Sequence, residues 1–247
     1  MKQWYLPVGV YLAICIVLFF MQRSMLYFPS STDNAGAWKI IKSGQETVGI
    51  ASSLDKENTL IVFHGNAGNA MMREYYSQIM GENYNLVIAE YPGYGLNSSE
   101  EINQENIIRK ARLLMKEVKK GQVIVLGESI GSAVAAQMAN EFKAHKLILV
   151  TPYSSIQNVA QSKFWFLPAY FLIQDRWNTV EGMKGYQGKV LLVVAENDRV
   201  IPPRFAQDLY KKISGQKSLL EIKNADHNDW LGHVTEKDLS EIKSFLK

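Results

Sequence analysis

A serine with a glycine two residues to either side, Gly127-Glu128-Ser129-Ile130-Gly131, follows the aliphatic run QVIVL and precedes the helical pattern IGSAVAAQMANEF. Glycines at those places permit a sharp strand-to-helix turn that lifts the hydroxyl above a sheet, where a nucleophile is needed. A serine hydroxyl is a weak nucleophile until an imidazole takes its proton and a carboxylate fixes the tautomer of that imidazole. His227, ending the run SLLEIKNAD, is the expected base, and His233 is the second choice. His145 lies in the connection AHKL, at the sheet end opposite Ser129, and reads as a surface residue; His64 opens a Gly-rich loop. Asp198, ending KVLLVVAEN, is the expected acid. Glu196 and Asp175 are its rivals, while Asp226 and Asp229 stand too near His227 in the chain to meet its ring well. An anionic intermediate also needs backbone N–H donors: Ile130 is the first, and the loop HGNAGN supplies the second from Asn66, with Ala67 as the alternative.

These residues fall at the ends of regularly spaced elements. TLIVFHG (59–65), NLVIAEYPGYG (85–95), QVIVLGES (122–129), KLILVTPYS (146–154), KVLLVVAEND (189–198) and SLLEIKNADH (218–227) are near-continuous apolar runs of strand length. Runs of that kind belong in a parallel sheet covered on both faces. Helical patterns separate them, in AMMREYYSQIMGE, EEINQENIIRKARLLMKEVKK, IGSAVAAQMANEF, PRFAQDLYKKI and TEKDLSEIKSFLK. The alternation predicts an α/β fold with a mostly parallel central sheet flanked by helices, led by the two short β runs WKIIKSG and ETVGIASSL. The interval from about 155 to 187 breaks the rhythm and reads as a short cap insertion carrying the apolar run FWFLPAYFLI.

The amino terminus is of a different kind. Between Lys2 and Arg23 lie twenty uncharged residues, enough for a helix of about 30 Å, the thickness of bilayer hydrocarbon. Trp4, Tyr5, Tyr27 and Phe28 sit where aromatic rings favour the interface, and Pro7 falls in the first turns, where it costs little. Residues 1–28 therefore read as a single transmembrane anchor, with residues 4–21 in contact with lipid, and residues 29–247 as the folded domain. A cleavable secretory signal and a buried core helix are the competing readings, and the flanking charges (Lys2 against Arg23, Lys39 and Lys42) do not orient the span.

A length of 247 residues suits one full-sized domain plus such an appendage. The net charge of +3 comes without any like-charge block longer than Lys119-Lys120 or Lys211-Lys212, so no nucleic-acid partner is expected. The single cysteine, Cys15, excludes an intrachain disulfide or a thiolate zinc cluster.

In order and spacing, HGNAGN, EYPGYG, GESIGS, ENDRVIP and ADHND resemble the α/β-hydrolase superfamily from about residue 24 onward. Within it, QRSMLYFPS after an N-terminal anchor, the HGNAGN loop and the His-Asn-Asp sequence resemble the small membrane-anchored serine hydrolases related to protein depalmitoylases. The resemblance implies a triad of Ser129, Asp198 and His227 and an acyl-enzyme, with no metal or organic cofactor. It leads to an expected substrate with an acyl ester or thioester, borne by a small molecule, a lipid or an acylated protein. A peptidase or amidase on the same triad and a catalytically silent tethered binding protein are the alternatives. A dehalogenase is disfavoured, since that chemistry uses an aspartate where Ser129 stands.

Overall fold

A computed structural model describes residues 5–80, 83–118 and 121–247; Lys2, Trp4, Lys119 and Lys120 of the readings above lie outside them. In chain order the elements are α1 (Tyr5–Leu26), β1 (Phe28–Pro29), β2 (Lys39–Ser43), β3 (Glu46–Ala51), β4 (Asn58–Phe63), β5 (Ala67–Gly68), α2 (Ser77–Met80), β6 (Tyr84–Ala89), α3 (Gln104–Glu117), β7 (Val123–Glu128), α4 (Gly131–Glu141), β8 (Lys146–Val150), α5 (Ile156–Lys163), α6 (Ala169–Leu172), α7 (Thr179–Gly182), β9 (Lys189–Ala195), α8 (Arg204–Lys212), β10 (Lys217–Ile222) and α9 (Glu236–Leu246).

Eight strands form one sheet in the order β10-β9-β8-β7-β4-β6-β3-β2. The six from β4 onward are parallel, and β3 and β2 close one edge antiparallel, as the leading β runs suggested. Within the continuous aliphatic runs, successive side chains still divide by face. Ile61, Phe63, Val125 and Leu149 pack in the layer that includes α3, α4 and α8, whereas Leu60, Val62, Leu126 and Ile148 pack in the layer that includes α2 and α9. Every such position is buried, so no polar alternation marks the strands.

The segment expected as one helix over AMMREYYSQIMGE instead begins with a 3₁₀ stretch, Ala70–Tyr76, capped by the Asn69 side chain, before the single turn of α2. A 3₁₀ helix eclipses residues three apart, and this winding buries Ala70, Arg73 and Tyr76 along one line. His233, expected in or near the last helix, ends a separate 3₁₀ turn (Trp230–His233). The expected cap interval holds three short helices, α5 to α7. Helix α1 is not a core helix, since Cys15 is its one buried residue. It nonetheless lies against the cap: Gln22 Nε2 donates to Leu172 O, Gln174 N to Gln22 Oε1 (2.7 Å), and Tyr11 OH to Phe166 O (3.1 Å).

Candidate active site

Three loops leave the carboxyl ends of β7, β9 and β10 and converge, as parallel topology dictates. Ser129 occupies the turn between β7 and α4 with φ at +53°, a conformation rare for a residue with a side chain and a sign of local strain. The glycines flanking it are required by close approach. A Cβ on Gly131 would lie 2.0 Å from Phe63 O, and one on Gly127 would lie 2.5 Å from Gly131 O. Ser129 N–H donates to Val150 O, which ties the turn to β8.

His227 Nε2 lies 3.0 Å from Ser129 Oγ, and its Nδ1 lies 2.7 Å from Asp198 Oδ2. All three residues are buried. The other oxygen of Asp198 accepts from the N–H groups of Val200 (2.9 Å) and Ile201 (2.6 Å), so the carboxylate cannot swing away. With Nδ1–H directed at Asp198, Nε2 presents its lone pair to the serine proton, the tautomer a general base needs.

The rejected acids have another use. Glu196 accepts from Asn224 N–H, and Asp226 accepts from the N–H groups of Arg199 and His227 and from the Arg199 guanidinium. Each therefore bridges the loops that carry Asp198 and His227. These N–H donors, led by Arg199, hold the Asp226 carboxyl down to about 2. Asp175 is buried and engaged by Tyr27 OH (2.8 Å) and Arg23. His145 is exposed just ahead of β8, and His233 faces Asp229.

Ile130 N–H and Asn66 N–H have no protein acceptor among the described residues. Both residues, with Ser129, line a cavity of about 400 Å³ whose walls are mostly aliphatic. Ala67, the alternative donor, lies in the short parallel β1–β5 pair, in register with Phe28.

Solved structures share this architecture at low sequence identity. A Pyrococcus furiosus esterase matches with a TM-score of 0.65 over 90% of this chain and 97% of its own, at 15% identity. MGS-M2, an alpha/beta hydrolase enzyme from a deep-sea metagenome library, matches with 0.64 over 84% of this chain and 96% of its own, at 10% identity. The chain has the α/β-hydrolase fold. Among curated proteins this chain is similar to an uncharacterized protein of Mycobacterium tuberculosis, with 24% identity over 87% of this chain and 84% of that one. It is also similar to the Homo sapiens alpha/beta hydrolase domain-containing protein 17B (25%, over 73% of this chain and 64% of that protein) and to the Danio rerio lysophosphatidylserine lipase ABHD12 (23%, over 77% and 58%). No protein-family model matches the sequence.

The site has a further support, around Arg73, that no sequence motif marks. Glu128, the last residue of β7 beside Ser129, accepts from Tyr75 OH and Tyr76 OH (both 2.9 Å) and pairs with Arg73 Nε at 3.2 Å. Arg73 in turn donates to Ala67 O in the HGNAGN loop (2.8 Å). Tyr94 OH donates to Asn66 O (2.7 Å) and Tyr91 OH to His64 O (3.2 Å). The EYPGYG motif thus buttresses the loop that presents Asn66 N–H. In sequence the only sign of this was the pair of tyrosines in that motif, while the partners of Arg73 were unmarked.

Proposed function

We propose that the protein is a membrane-associated serine hydrolase that cleaves an acyl ester or thioester through Ser129, His227 and Asp198. The observation that carries this reading is the unbroken chain Ser129 Oγ–His227–Asp198, at 3.0 and 2.7 Å, opening onto an aliphatic cavity. Ser129 Oγ attacks the carbonyl carbon while His227 Nε2 takes its proton, and Asp198 stabilises the imidazolium. Charge then gathers on the carbonyl oxygen, where Ile130 and Asn66 N–H donate, each worth about 3 kcal/mol of barrier. The positive end of α4 adds to that field. Collapse of the tetrahedral intermediate breaks the bond to the alcohol or thiol, which leaves with the proton from His227. Water, activated by the same imidazole, then releases the acid and restores Ser129.

An esterase or lipase chemistry is in keeping with the names of the relatives above. An amide substrate held by a free amino terminus is less well supported. Asp175 is the one acid lining the cavity among the described residues, and Tyr27 and Arg23 already occupy it. Membrane association is supported by α1, whose 22 residues extend about 33 Å and include an 18-residue stretch of mean hydropathy 2.0. Its apolar side chains are exposed almost throughout, which suits lipid and not water.

The test is fluorophosphonate labelling of the full chain in membranes, with p-nitrophenyl acyl ester hydrolysis alongside. Wild type is expected to label and turn over. Ser129→Ala should lose both, and His227→Ala should lose at least about a thousandfold in kcat. Full activity in Ser129→Ala overturns the assignment.

A further inference from the structure

The cavity above Ser129 has two unlike walls. One is the cap, through Ile156, Val159, Leu167 and Leu172. The other is the N-terminal helix itself, through Leu18, Gln22, Met25 and Leu26. Along α1 the less exposed positions are Cys15, Leu18, Gln22, Arg23 and Leu26, and the spacing of three and four among Cys15, Leu18, Gln22 and Leu26 puts these four on one stripe. The end of that helix also touches the catalytic loop. Asn66 Nδ2 donates to Leu26 O (2.7 Å), and Phe28 N–H donates to Asn66 O (2.8 Å).

Beyond the cavity the cap runs beside α1. Gln174 Nε2 donates to Phe19 O, Gln22 reaches Leu172 O, and Tyr11 OH reaches Phe166 O. Tyr11 and Leu26 are about 22 Å apart along the helix axis, so the cap follows α1 far from the sheet. The run Phe164–Ile173 holds no charge, and it exposes Trp165 (79%), Phe171 (76%) and Phe166 (55%). Irregular backbone at membrane depth needs its carbonyls satisfied internally. Here the polar side chains Tyr11 and Gln22, unusual on so apolar a helix, donate to the cap carbonyls of Phe166 and Leu172.

We propose that α1 is a wall of the substrate site as well as a tether. A single acyl chain of a bilayer-resident ester or thioester enters sideways between α1 and the cap, lies against Leu18 and Met25, and brings its carbonyl to Ser129. The substrate class rests on the serine-hydrolase reading above; the acyl-chain site itself is tested without catalysis. Cap and helix are together immersed in the hydrocarbon layer, and the chain reaches the nucleophile without crossing water.

The first experiment uses full-length Ser129→Ala in phosphatidylcholine vesicles, photolysed with a diazirine-bearing palmitic acid. Crosslinks are expected on residues 18–26 and 156–172. Leu18→Trp on that background should lower the cap-side crosslinks about tenfold, and Met25→Trp should do the same. Ile16→Trp, on the bare face of α1, should leave them as they are. Crosslinks confined to the bare face, or equal in Leu18→Trp, Met25→Trp and Ile16→Trp, overturn the proposal. The second experiment uses the active protein and measures the ratio of p-nitrophenyl palmitate to butyrate turnover. Leu18→Trp should lower that ratio about tenfold while Ile16→Trp holds it, and an unchanged ratio in Leu18→Trp counts against the proposal. Wild type that shows the cap-side crosslinks yet never labels with a fluorophosphonate supports the acyl site and removes the hydrolase reading instead.

Discussion

His64 acts through the place its ring hydrogen bond goes. Its Nδ1–H donates to Gly65 O at 2.7 Å, which fixes the plane of the peptide whose N–H belongs to Asn66. Tyr91 holds the carbonyl before that peptide and Tyr94 the one after it, so three successive carbonyls are pinned. The ring also packs on Tyr91, with centroids 4.2 Å apart. Burial pushes His64 down to about 3, so it stays neutral and its Nδ1–H stays in place across the working range. On the proposed mechanism it positions the Asn66 N–H that donates to the oxyanion. His64→Phe keeps an aromatic ring beside Tyr91 and removes only the hydrogen bond to Gly65. The expected result is a fall in kcat of about ten- to a hundredfold with little change in KM, because the donor matters most when charge develops. Steady-state kinetics on a soluble acyl ester checks this; a fall in binding alone shows that the ring shapes the cavity and does not aim the peptide.

At the scale of elements, the site depends on loops from separate strands being clamped together. Asp226 joins the Asp198 loop to the His227 loop by accepting from Arg199 N–H, the Arg199 guanidinium and His227 N–H. Asp226→Ala frees His227 to drift relative to Asp198, and kcat should fall about tenfold. Fluorophosphonate labelling should slow in parallel while the far-ultraviolet circular dichroism is unchanged; an unaltered labelling rate removes the clamp from the account. How much of this was legible in sequence follows from the same geometry. Ser129, Asp198 and His227 could be placed because each stands just past an aliphatic run, and parallel strands deliver their carboxyl ends to one side. Strand ends were read too long, as in NLVIAEYPGYG against Tyr84–Ala89, because burial continues past the last ladder bond: Tyr91 and Tyr94 are as buried as the strand. The Arg73–Glu128 pair was hidden because its partners lie 55 residues apart, in the 3₁₀ stretch and at the end of β7, and nothing local marks an ion pair that only the tertiary fold creates. The engagement of α1 with the cap was hidden for a related reason. Hydropathy averages over a helix, whereas Tyr11 and Gln22 act one at a time.

For the molecule as a whole, two buried groups set opposite slopes of stability against pH. Glu90 sits at the end of β6 with its carboxyl packed under Gly95, where an added Cβ would lie 2.4 Å from it. Burial raises this carboxyl to about 8 from an ordinary 4.5, so the folded chain keeps the proton that the unfolded chain has lost. The stability it confers is complete below about 4.5 and is lost as pH rises through 8. His64 runs the other way. Its folded value of about 3 lies below the ordinary 6.5, so its contribution is complete above 6.5 and is lost as pH falls through 3. Between 4.5 and 6.5 the two slopes oppose each other, and stability should form a plateau there. Above 6.5 Glu90 acts alone, with a slope of up to about 1.4 kcal/mol per pH unit. Glu90→Gln keeps the size and cannot ionise. It should therefore abolish the fall, so that stability climbs with pH to about 6.5 under His64 alone and then stays level to pH 8, where the unfolding free energy exceeds that of wild type, while changing little at pH 5. Urea unfolding across a pH series separates the outcomes. Parallel curves for wild type and Glu90→Gln above pH 6.5 mean that Glu90 is already ionised in the fold, and the alkaline loss must then be sought at another group.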